Sequence, residues 1–384
     1  MNFDANANHI IEKKYFKLLE NGLLMGNINS GLGNQNADKV IANFKNLFTN
    51  EFGNNYDVLI TSGASESNST IINNIPKQSH VIVSTAEHPS ITEGIKYLED
   101  NNEISVTWIK PKYNGEICIN EIIKTITFDT STVIIQSVNG ETGYIQNIML
   151  LNNYLKNNRP EIHLHIDNTQ GYKKINYPPN VGRSISLSLH KIGSIIGIGV
   201  LLVEKEINLR PLIFGKQNDG LRGGTYNFAA IMLSLEVIRN YRGKEYGLYK
   251  RLFLTQLKYN VLLFPLKNTA INEKLPTMIL LSDEGCVGNV ISGYIIYKGR
   301  IVCSKILANY LLNNNIKIGI GSACNNEKSS DLGSIRSSPL INDNEKTGIF
   351  RISFSNDINE QKIKQLTGLL NEFPKLLEKI LKGN

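Results

Sequence analysis

The sequence predicts an α/β fold with a mainly parallel sheet, followed by a smaller α+β region. Two observations support this prediction. Between residues 38 and 203, short runs rich in β-branched residues alternate with amphipathic helical patterns. Several of these runs are apolar at every position, which is typical of strands covered by helices on both faces. With 384 residues, the chain is also long enough for more than one domain-sized unit.

Seven strands are predicted in the first part of the chain, which makes a mainly parallel, mixed seven-stranded sheet. In chain order they are DVLIT (57–61), HVIVS (80–84), ISVTWI (104–109), TVIIQSV (132–138), HLHID (163–167), SISLS (184–188) and IGVLLV (198–203). Helices fit between several of them at 90–99, 120–127 and 147–157. An earlier helix carries Val40, Phe44, Leu47 and Phe48 on one face.

The second part of the chain is predicted to begin with a long helical stretch from Asn227 to Tyr259. The later elements are strands at 277–282, 316–324 and 350–355, a helix near 304–312 and a final helix. An apolar stripe on the final helix predicts core packing; its members are Ile363, Leu366, Leu370, Phe373, Leu377 and Ile380. The polar segment 327–348 is interpreted as a mobile loop.

Composition and charge exclude several classes of protein. The net charge is +7, but Lys and Arg are scattered, so nucleic-acid binding is not indicated. No run of 18 apolar residues and no secretory signal is present, so no membrane span is predicted and a cytoplasmic protein is expected. Widely spaced cysteines argue against a metal site or a disulfide framework and for a reducing compartment; they are Cys118, Cys286, Cys303 and Cys324.

The segment ITSGASESNSTII (60–72) runs from a strand through a glycine turn into a helix. The start of such a helix favours a bound phosphate, because its backbone N–H groups and its dipole point outward. Alternatively, Ser65 simply caps the helix. The segment alone leaves both interpretations open.

Asp167 ends an apolar strand, and Lys191 follows the next strand in an otherwise apolar run. Ligands of open α/β sheets bind outside the carboxyl ends of the strands. Burial lowers the pKa of a lysine and makes its amine nucleophilic, although a lysine at a strand end can also simply face water. With the glycine turn, these two residues fit a pyridoxal phosphate site, in which the lysine forms a Schiff base and the acid pairs with the pyridine nitrogen.

Nine motifs in order resemble those of the NifS/IscS-like cysteine desulfurases, which are fold-type-I pyridoxal phosphate enzymes. They are FDANAN, TSGASESN, AEHPSI, VNGETG, HIDNTQ, SLSLHKIGSIIGIGVLLV, GLRGGTYN, IGSAC and FRISFSNDINEQ. The resemblance implies a large cofactor-binding domain at 13–247. It implies a small domain, formed by 1–12 and 248–384, that carries the Cys324 loop and Arg351.

The resemblance also implies a role for each matching residue. Lys191 is the Schiff-base lysine and Asp167 the partner of the pyridine nitrogen, while Gln170 bonds the phenolic oxygen and His88 stacks on the ring. Asn139 faces cofactor and substrate, and Arg351 binds the substrate carboxylate. The phosphate is held by Ala64, Ser65, Ser188 and His190, and by Thr225 of a neighbouring subunit, which implies a homodimer.

Cys324 is implied to attack the sulfur of the L-cysteine substrate, giving L-alanine and a persulfide that passes to an acceptor protein. Without the resemblance, the pattern favours Cys324 as a small residue at a strand-to-loop junction and His88 as a surface turn residue. His165 matches the HxD position of the family, and His163 is expected on the opposite face of its strand. No metal pair is predicted, because no Cys or third His completes it.

Several positions depart from the family pattern, notably Gly140 and the segment Ser194–Ile196. These departures and the Asn- and Ile-rich composition suggest a virally encoded member. The alternatives are another class-V enzyme, such as a selenocysteine lyase or an aminotransferase, and a drifted scaffold that acts by binding a partner. The thiol in GSAC argues against an aminotransferase, because transamination needs no thiol.

Overall fold

The computed structural model describes residues 1–7, 9–24, 35–241, 246–264, 275–282, 285–320, 334–341 and 343–381. The helices are α1 (Phe16–Leu24), α2 (Gln35–Phe52), α3 (Ala64–Ile72), α4 (Pro89–Asp100), α5 (Ile119–Thr125), α6 (Ile148–Asn158), α7 (Phe228–Asn240), α8 (Tyr246–Gln256), α9 (Ser304–Asn313), α10 (Asp343–Gly348) and α11 (Glu360–Leu381). Short 3-10 turns lie at Lys13–Tyr15, Leu189–Ile192, Asn218–Gly220 and Ile335–Ser337.

The strands form one large and two small sheets. They are β1 (Asn2–Phe3), β2 (Tyr56–Thr61), β3 (Ser79–Ser84), β4 (Ile104–Ile109), β5 (Thr130–Gln136), β6 (His163–Asp167), β7 (Ser184–Ser188), β8 (Gly199–Glu204), β9 (Asn260–Leu263), β10 (Thr277–Leu280), β11 (Val290–Tyr297), β12 (Arg300–Ile301), β13 (Lys317–Ile318) and β14 (Phe350–Ser353).

The large sheet has the strand order β2-β8-β7-β6-β5-β3-β4. Strand β8 is antiparallel to both its neighbours, and the pairs from β7 to β4 are all parallel. The prediction of a mainly parallel, mixed seven-stranded sheet is therefore confirmed. Because six strands share one direction, the residues that follow their carboxyl ends meet at one edge of the sheet.

Helices pack their apolar faces against both sides of this sheet. Phe44, Phe48 and Phe52 of α2 are fully buried against the β2-β8-β7 side. Burying each phenylalanine contributes about 1.5–3 kcal/mol of hydrophobic stabilisation. The helix face predicted from the apolar spacing is thus the face that anchors α2 to the sheet.

A second apolar core joins the five-stranded sheet to helices α8, α9 and α11. The apolar stripe on α11 packs there as predicted, except that Ile380 is 46% exposed, since it lies in the last turn of the helix. The central strand of this sheet, β11, was not predicted, because its run VISGYIIY contains a serine and a glycine. A Cβ on Gly293 would lie 2.1 Å from the carbonyl oxygen of Ile279, so the close approach of β10 requires glycine there.

Two predictions about the second part of the chain are wrong. The single helix expected from Asn227 to Tyr259 is two helices, because α7 ends where Tyr241 turns to an extended backbone, and residues after Gln256 lead into β9. The expected mobile loop 327–348 is folded where the structure describes it. There it contains a 3-10 turn and α10, and Ser334 and Ile335 are buried. Among the described residues, no helix is long and apolar enough to cross a membrane.

Candidate active site

The carboxyl edge of the large sheet brings together the turns that follow β2, β3, β5, β6 and β7. The turn after β2 leads into α3, whose N-cap is Gly63 and not Ser65. Ser65 lies in the first turn of the helix and is exposed, so its predicted alternative role as an N-cap is wrong. Strand β8 passes so close that a Cβ on Gly199 would lie 2.5 Å from the Cα of Gly63, which explains the glycine at that position.

Lys191 lies in the 3-10 turn Leu189–Ile192, directly after β7. Its Nζ donates hydrogen bonds to the carbonyl oxygens of Asn6 and Ala7 at 2.7 and 2.9 Å. Gly193 ends the turn with a φ of +99°, a left-handed conformation that favours glycine. The turn therefore places a half-buried amine at the sheet edge, next to the N-terminal segment.

Ser188 and His190 flank this turn. The Oγ of Ser188 is 2.9 Å from the Nδ1 of His190. Burial, together with the positive charge of Lys191, lowers the pKa of His190 to about 4, so its ring is neutral at pH 7. Both side chains thus offer uncharged polar groups close to Lys191.

Asp167 ends β6 and is buried. Its Oδ2 accepts a hydrogen bond from Asn68 Nδ2 at 3.1 Å, and its Oδ1 accepts one from the backbone N–H of Thr169 at 2.9 Å. Asn68 lies on α3, so the carboxylate is positioned both by its own turn and by the helix that crosses above it. Asn68 lies in the motif TSGASESN, but no pattern in the sequence predicts its contact with Asp167.

His88 is the N-cap residue of α4, and its Nδ1 accepts a hydrogen bond from the backbone N–H of Ser90. His88 is exposed, yet desolvation by the surrounding protein lowers its pKa, with smaller opposing effects from the charges of Asp167 and Lys191. His88 follows β3, Asp167 ends β6 and Lys191 follows β7, so all three lie at the carboxyl edge of the sheet.

Glu87, next to His88, is completely buried, and neither of its carboxyl oxygens has a hydrogen-bond partner among the described residues. This burial raises its pKa well above the usual range, and the negative charge of Asp167 raises it further. Glu87 is therefore a buried acid with a raised pKa beside the site, which the sequence did not indicate.

Gln170 follows Asp167 and donates from its Nε2 to the carbonyl oxygen of Asn6 at 3.0 Å. Its Oε1 accepts a hydrogen bond from Lys174 Nζ at 2.9 Å. Burial, together with the smaller effects of the nearby cations Lys191 and Arg351, lowers the pKa of Lys174 to about 7. Lys174 was not predicted as a site residue, although its position four residues after Gln170 places it on the same side of the turn.

Arg351 of β14 is buried and forms an ion pair with Asp4, with Nη2 2.6 Å from Oδ1. Its Nη1 donates to the carbonyl oxygen of Gly140 at 3.2 Å, and its Nε has no hydrogen-bond partner among the described residues. Since Gly140 contributes only its carbonyl oxygen to these contacts, its departure from the family pattern leaves the Arg351 contact in place.

The turn after β5 is held by Asn139. Its Oδ1 accepts three hydrogen bonds, from the N–H of Glu141 and from the N–H and hydroxyl of Thr142. Glu141 in turn accepts hydrogen bonds from Ser334. Asn139 therefore shapes the wall of the site through its own backbone turn.

Three further predicted site residues are Ala64, Thr225 and Cys324. Thr225 is exposed, and Ala64 begins α3. Cys324 lies outside the described residues. His163 was expected on the opposite strand face from His165, which is wrong: side chains two apart share a face, and both rings contact the Oγ of Ser184. No group of three potential metal ligands occurs within the described parts of the chain.

Together these groups suit an anionic, aromatic, carbonyl-bearing cofactor. Lys191 supplies an amine, Asp167 a buried carboxylate and His88 an imidazole, while Lys174 and Arg351, whose Nε has no hydrogen-bond partner among the described residues, add positive charge close to Lys191. The N-terminal end of the nine-residue helix α3 lies at the same edge, where it favours an anion. This is the chemistry of a pyridoxal phosphate enzyme.

Comparisons with known proteins agree. Residues 24–250 match the family model described as aminotransferase class-V. The cysteine desulfurase IscS of Buchnera aphidicola subsp. Acyrthosiphon pisum (strain 5A) is 32% identical over 307 residues, which cover 75% of this chain and 70% of the relative. The putative cysteine desulfurase NifS of Bacillus subtilis (strain 168) is 29% identical over 327 residues, which cover 80% and 77%.

A solved NifS-like protein has the same fold, with a TM-score of 0.79 at 20% identity over 98% of this chain and 99% of that chain. The chain therefore belongs to the class-V aminotransferase family, and within it to the cysteine desulfurases. It is a pyridoxal phosphate-dependent enzyme of the cysteine desulfurase type.

Proposed function

We propose that this chain converts L-cysteine to L-alanine and retains the sulfur as a persulfide on Cys324. The observation that supports this most is the pair Asp167 and Lys191, which follow the adjacent parallel strands β6 and β7 and share one site. When bound, pyridoxal phosphate supplies an electron sink for negative charge at the substrate Cα.

Asp167 would pair with the pyridine nitrogen, because it is the buried acid at the sheet edge and is already oriented by Asn68 and Thr169. Lys191 would supply the amine that attaches the cofactor, and its Nζ would later hold and move the Cα proton. His88 would stack on the ring. Gln170 and Asn139 would contact the ring oxygen and the substrate from the facing turns.

The phosphate would be held at the start of α3, where backbone N–H groups and the helix dipole favour an anion. Its contacts are proposed to be Ala64, Ser65, Ser188 and His190, with Thr225 contributed by a second copy of the chain.

Arg351 would bind the substrate carboxylate through its guanidinium. Asp4 occupies one edge of this guanidinium, so substrate binding has to share or displace the Asp4 contact.

Cys324 would attack the sulfur of the bound substrate as a thiolate. The substrate C–S bond breaks, its electron pair stays with the carbon fragment, and that fragment takes up a proton and leaves as alanine. The sulfur remains on Cys324 as a persulfide, from which an acceptor protein takes it. No other oxidant or reductant is needed to form the persulfide.

We also propose a domain organisation, a location, an origin and an oligomeric state for the protein. The apolar cores fit a large domain at 13–247 and a small domain formed by 1–12 and 248–384. Free thiols at Cys118, Cys286 and Cys303 fit a reducing, cytoplasmic location. The Asn- and Ile-rich composition is the ground for proposing a viral origin. A homodimer is proposed from the place of Thr225 in its motif.

The proposal is tested by loading the purified protein with pyridoxal phosphate and supplying L-cysteine. We expect a visible absorption band and the release of sulfide and alanine in equal amounts when a reductant is present. Lys191→Ala should lose the band of the covalently attached cofactor and slow turnover by at least about 1,000-fold. Cys324→Ser should keep the band and form no persulfide.

Cys303→Ser is the matched control for the thiol, because Cys303 is the N-cap residue of α9 and takes no part in the proposed site. It should behave like the wild type. A wild type that takes up no cofactor would exclude the enzyme. A loaded wild type that produces no sulfide would favour another class-V reaction or a binding role.

A further inference from the structure

A chain of buried polar side chains lies directly behind Asp167. Asn68 donates to Asp167 and faces His165, whose Nε2 is 3.0 Å from Asn68 Oδ1. The Nδ1 of His165 is 2.7 Å from the Oγ of Ser184, which is 2.6 Å from the Nε2 of His163. The chain crosses from α3 to β6 and β7, so it links the helix to the floor of the sheet.

The direction of every hydrogen bond in this chain follows from its chemistry. A carboxylate only accepts hydrogen bonds, so Asn68 has to turn its NH2 toward Asp167 and its oxygen toward His165. The Nε2 of His165 therefore carries the proton, and its Nδ1 accepts from the hydroxyl of Ser184. The oxygen of Ser184 then accepts from the Nε2–H of His163. All four donors consequently point toward Asp167.

Burial supports this arrangement. It lowers the pKa values of His163 and His165 to about 3, so both rings are neutral at pH 7 and each has one donor and one acceptor nitrogen. Ser186 also donates to Asn68 Oδ1, at 2.6 Å, so the amide oxygen has two donors and the amide is held against rotation.

We propose that Asn68 and His165 are positioning residues of the active site, which hold a hydrogen-bond donor against the Asp167 carboxylate and so set its orientation toward the cofactor. This inference rests on the proposed role of Asp167. It assigns a function to two residues that touch neither the substrate nor the reacting atoms. Ser184 contacts His165 on the side away from Asn68, and we expect it to contribute less to the orientation of Asp167.

The chain offers a matched control in His80. This histidine is also buried in the sheet, and both its ring nitrogens also contact hydroxyl groups, of Thr130 and Thr107, each at 2.8 Å. It lies at the start of β3, at the edge of the sheet opposite to Asp167. A substitution at His80 therefore reproduces the structural cost of losing a buried histidine without affecting the proposed chain.

The first experiment measures the dissociation constant of pyridoxal phosphate for four variants and the thermal stability of their cofactor-free forms. Asn68→Asp places a second acid against Asp167 and should weaken binding by about 100-fold. In His165→Asn the shorter side chain can still contact Ser184 but no longer reaches Asn68. This variant should bind pyridoxal phosphate about 10-fold more weakly. Ser184→Ala should weaken binding by about 3-fold, and His80→Asn should leave it unchanged.

Stability separates this inference from a merely structural role. His165→Asn and His80→Asn should lower the melting temperature by similar amounts, because each removes a buried histidine with two partners. Only His165→Asn should weaken cofactor binding. Equal binding by these two variants, or full binding by Asn68→Asp, would overturn the inference. If His165→Asn does not fold, the smaller change Ser184→Ala still decides the question through its binding constant.

The second experiment needs no cofactor. Imidazole ¹⁵N–¹H NMR of the cofactor-free wild type at pH 7 should show His163 and His165 as neutral rings protonated on Nε2. A proton on Nδ1 of His165 would contradict the proposed direction of the chain. If the wild type fails to bind pyridoxal phosphate at all, the proposed function fails, and the NMR result still tests the chain by itself.

Discussion

The two sides of the active site hold their polar groups in different ways. On the floor of the site, formed by Asp167, Asn68, His165 and Ser184, one carboxylate accepts a hydrogen bond from a neutral amide, and neutral polar groups continue the chain behind that amide. On the wall, formed by Lys174, Lys191, Arg351 and Asp4, three basic side chains lie close together, and Asp4 forms an ion pair with Arg351. The difference indicates that the floor is preorganised in the chain itself, whereas the wall has spare positive charge for anionic groups of a ligand.

The wall is also partly covered by the N-terminal segment. The carbonyl oxygen of Asn6 accepts hydrogen bonds from both Lys191 and Gln170, and Asp4 pairs with Arg351. Backbone carbonyls and one carboxylate therefore satisfy the cations that the proposed ligands would contact. We expect substitutions on the wall to change substrate and ligand binding, and substitutions on the floor to change cofactor binding.

The largest effect is expected at Arg351. Arg351→Lys keeps the charge but loses the forked geometry that suits a carboxylate, so kcat/KM for L-cysteine should fall by about 100-fold, mostly through KM. Steady-state kinetics with the loaded enzyme measure this. Arg183→Lys, at an arginine that pairs with Glu204 away from the site, is the matched control and should leave both constants unchanged. An unchanged KM in Arg351→Lys would remove Arg351 from the substrate site.

A second prediction concerns the stability of the floor of the site at acidic pH. The pKa values of His163 and His165 lie near 3 in the folded protein and near 6.5 when unfolded, so the unfolded chain binds more protons between those values. Stability should therefore fall as the pH drops from 6.5 toward 3, by at most about 1.4 kcal/mol per pH unit for each ring. His163→Gln should remove about one half of the contribution of this pair.

Urea unfolding of the cofactor-free protein at pH 7 and pH 5 measures this slope. The useful quantity is the difference between wild type and variant, because other groups titrate in the same range. An equal pH dependence in His163→Gln and in the wild type would show that His163 is not buried as a neutral ring.

A stability effect of similar slope is expected at Lys174, in a different pH range. Its folded pKa is about 7 and its unfolded value near 10.5, so the unfolded chain binds more protons between these values and stability should rise with pH across that window. Lys174→Met should flatten this rise, by up to about 1.4 kcal/mol per pH unit. Urea unfolding at pH 7 and pH 9 tests it, with Lys156→Met on the exposed face of α6 as the control. If both variants keep the wild-type slope, Lys174 is not desolvated.

Prediction from the sequence succeeded where one local pattern decides the structure. The seven strands of the large sheet and the helix faces of α2 and α11 follow from apolar periodicity, which survives because each run packs against a single neighbouring layer. The strand β11 was missed because what keeps it in a sheet is the close approach of β10 at Gly293, a contact far away in sequence. The end of α7 near Tyr241 was missed although Gly243 follows it in the sequence, because the apolar pattern continues beyond that glycine.

The sequence by itself determined the α/β fold and the seven strands of its large sheet along the chain, and it placed Asp167 at the end of one strand and Lys191 after the next. Motif order also indicated the family. Only the tertiary structure decided which groups surround the site residues. They are Asn68 and His165 behind Asp167, and Lys174, Asp4 and Asn6 beside Lys191 and Arg351. The physical reason is that periodicity reports which face of an element is buried, whereas a hydrogen bond between α3 and β6 depends on where two packed elements bring single atoms together.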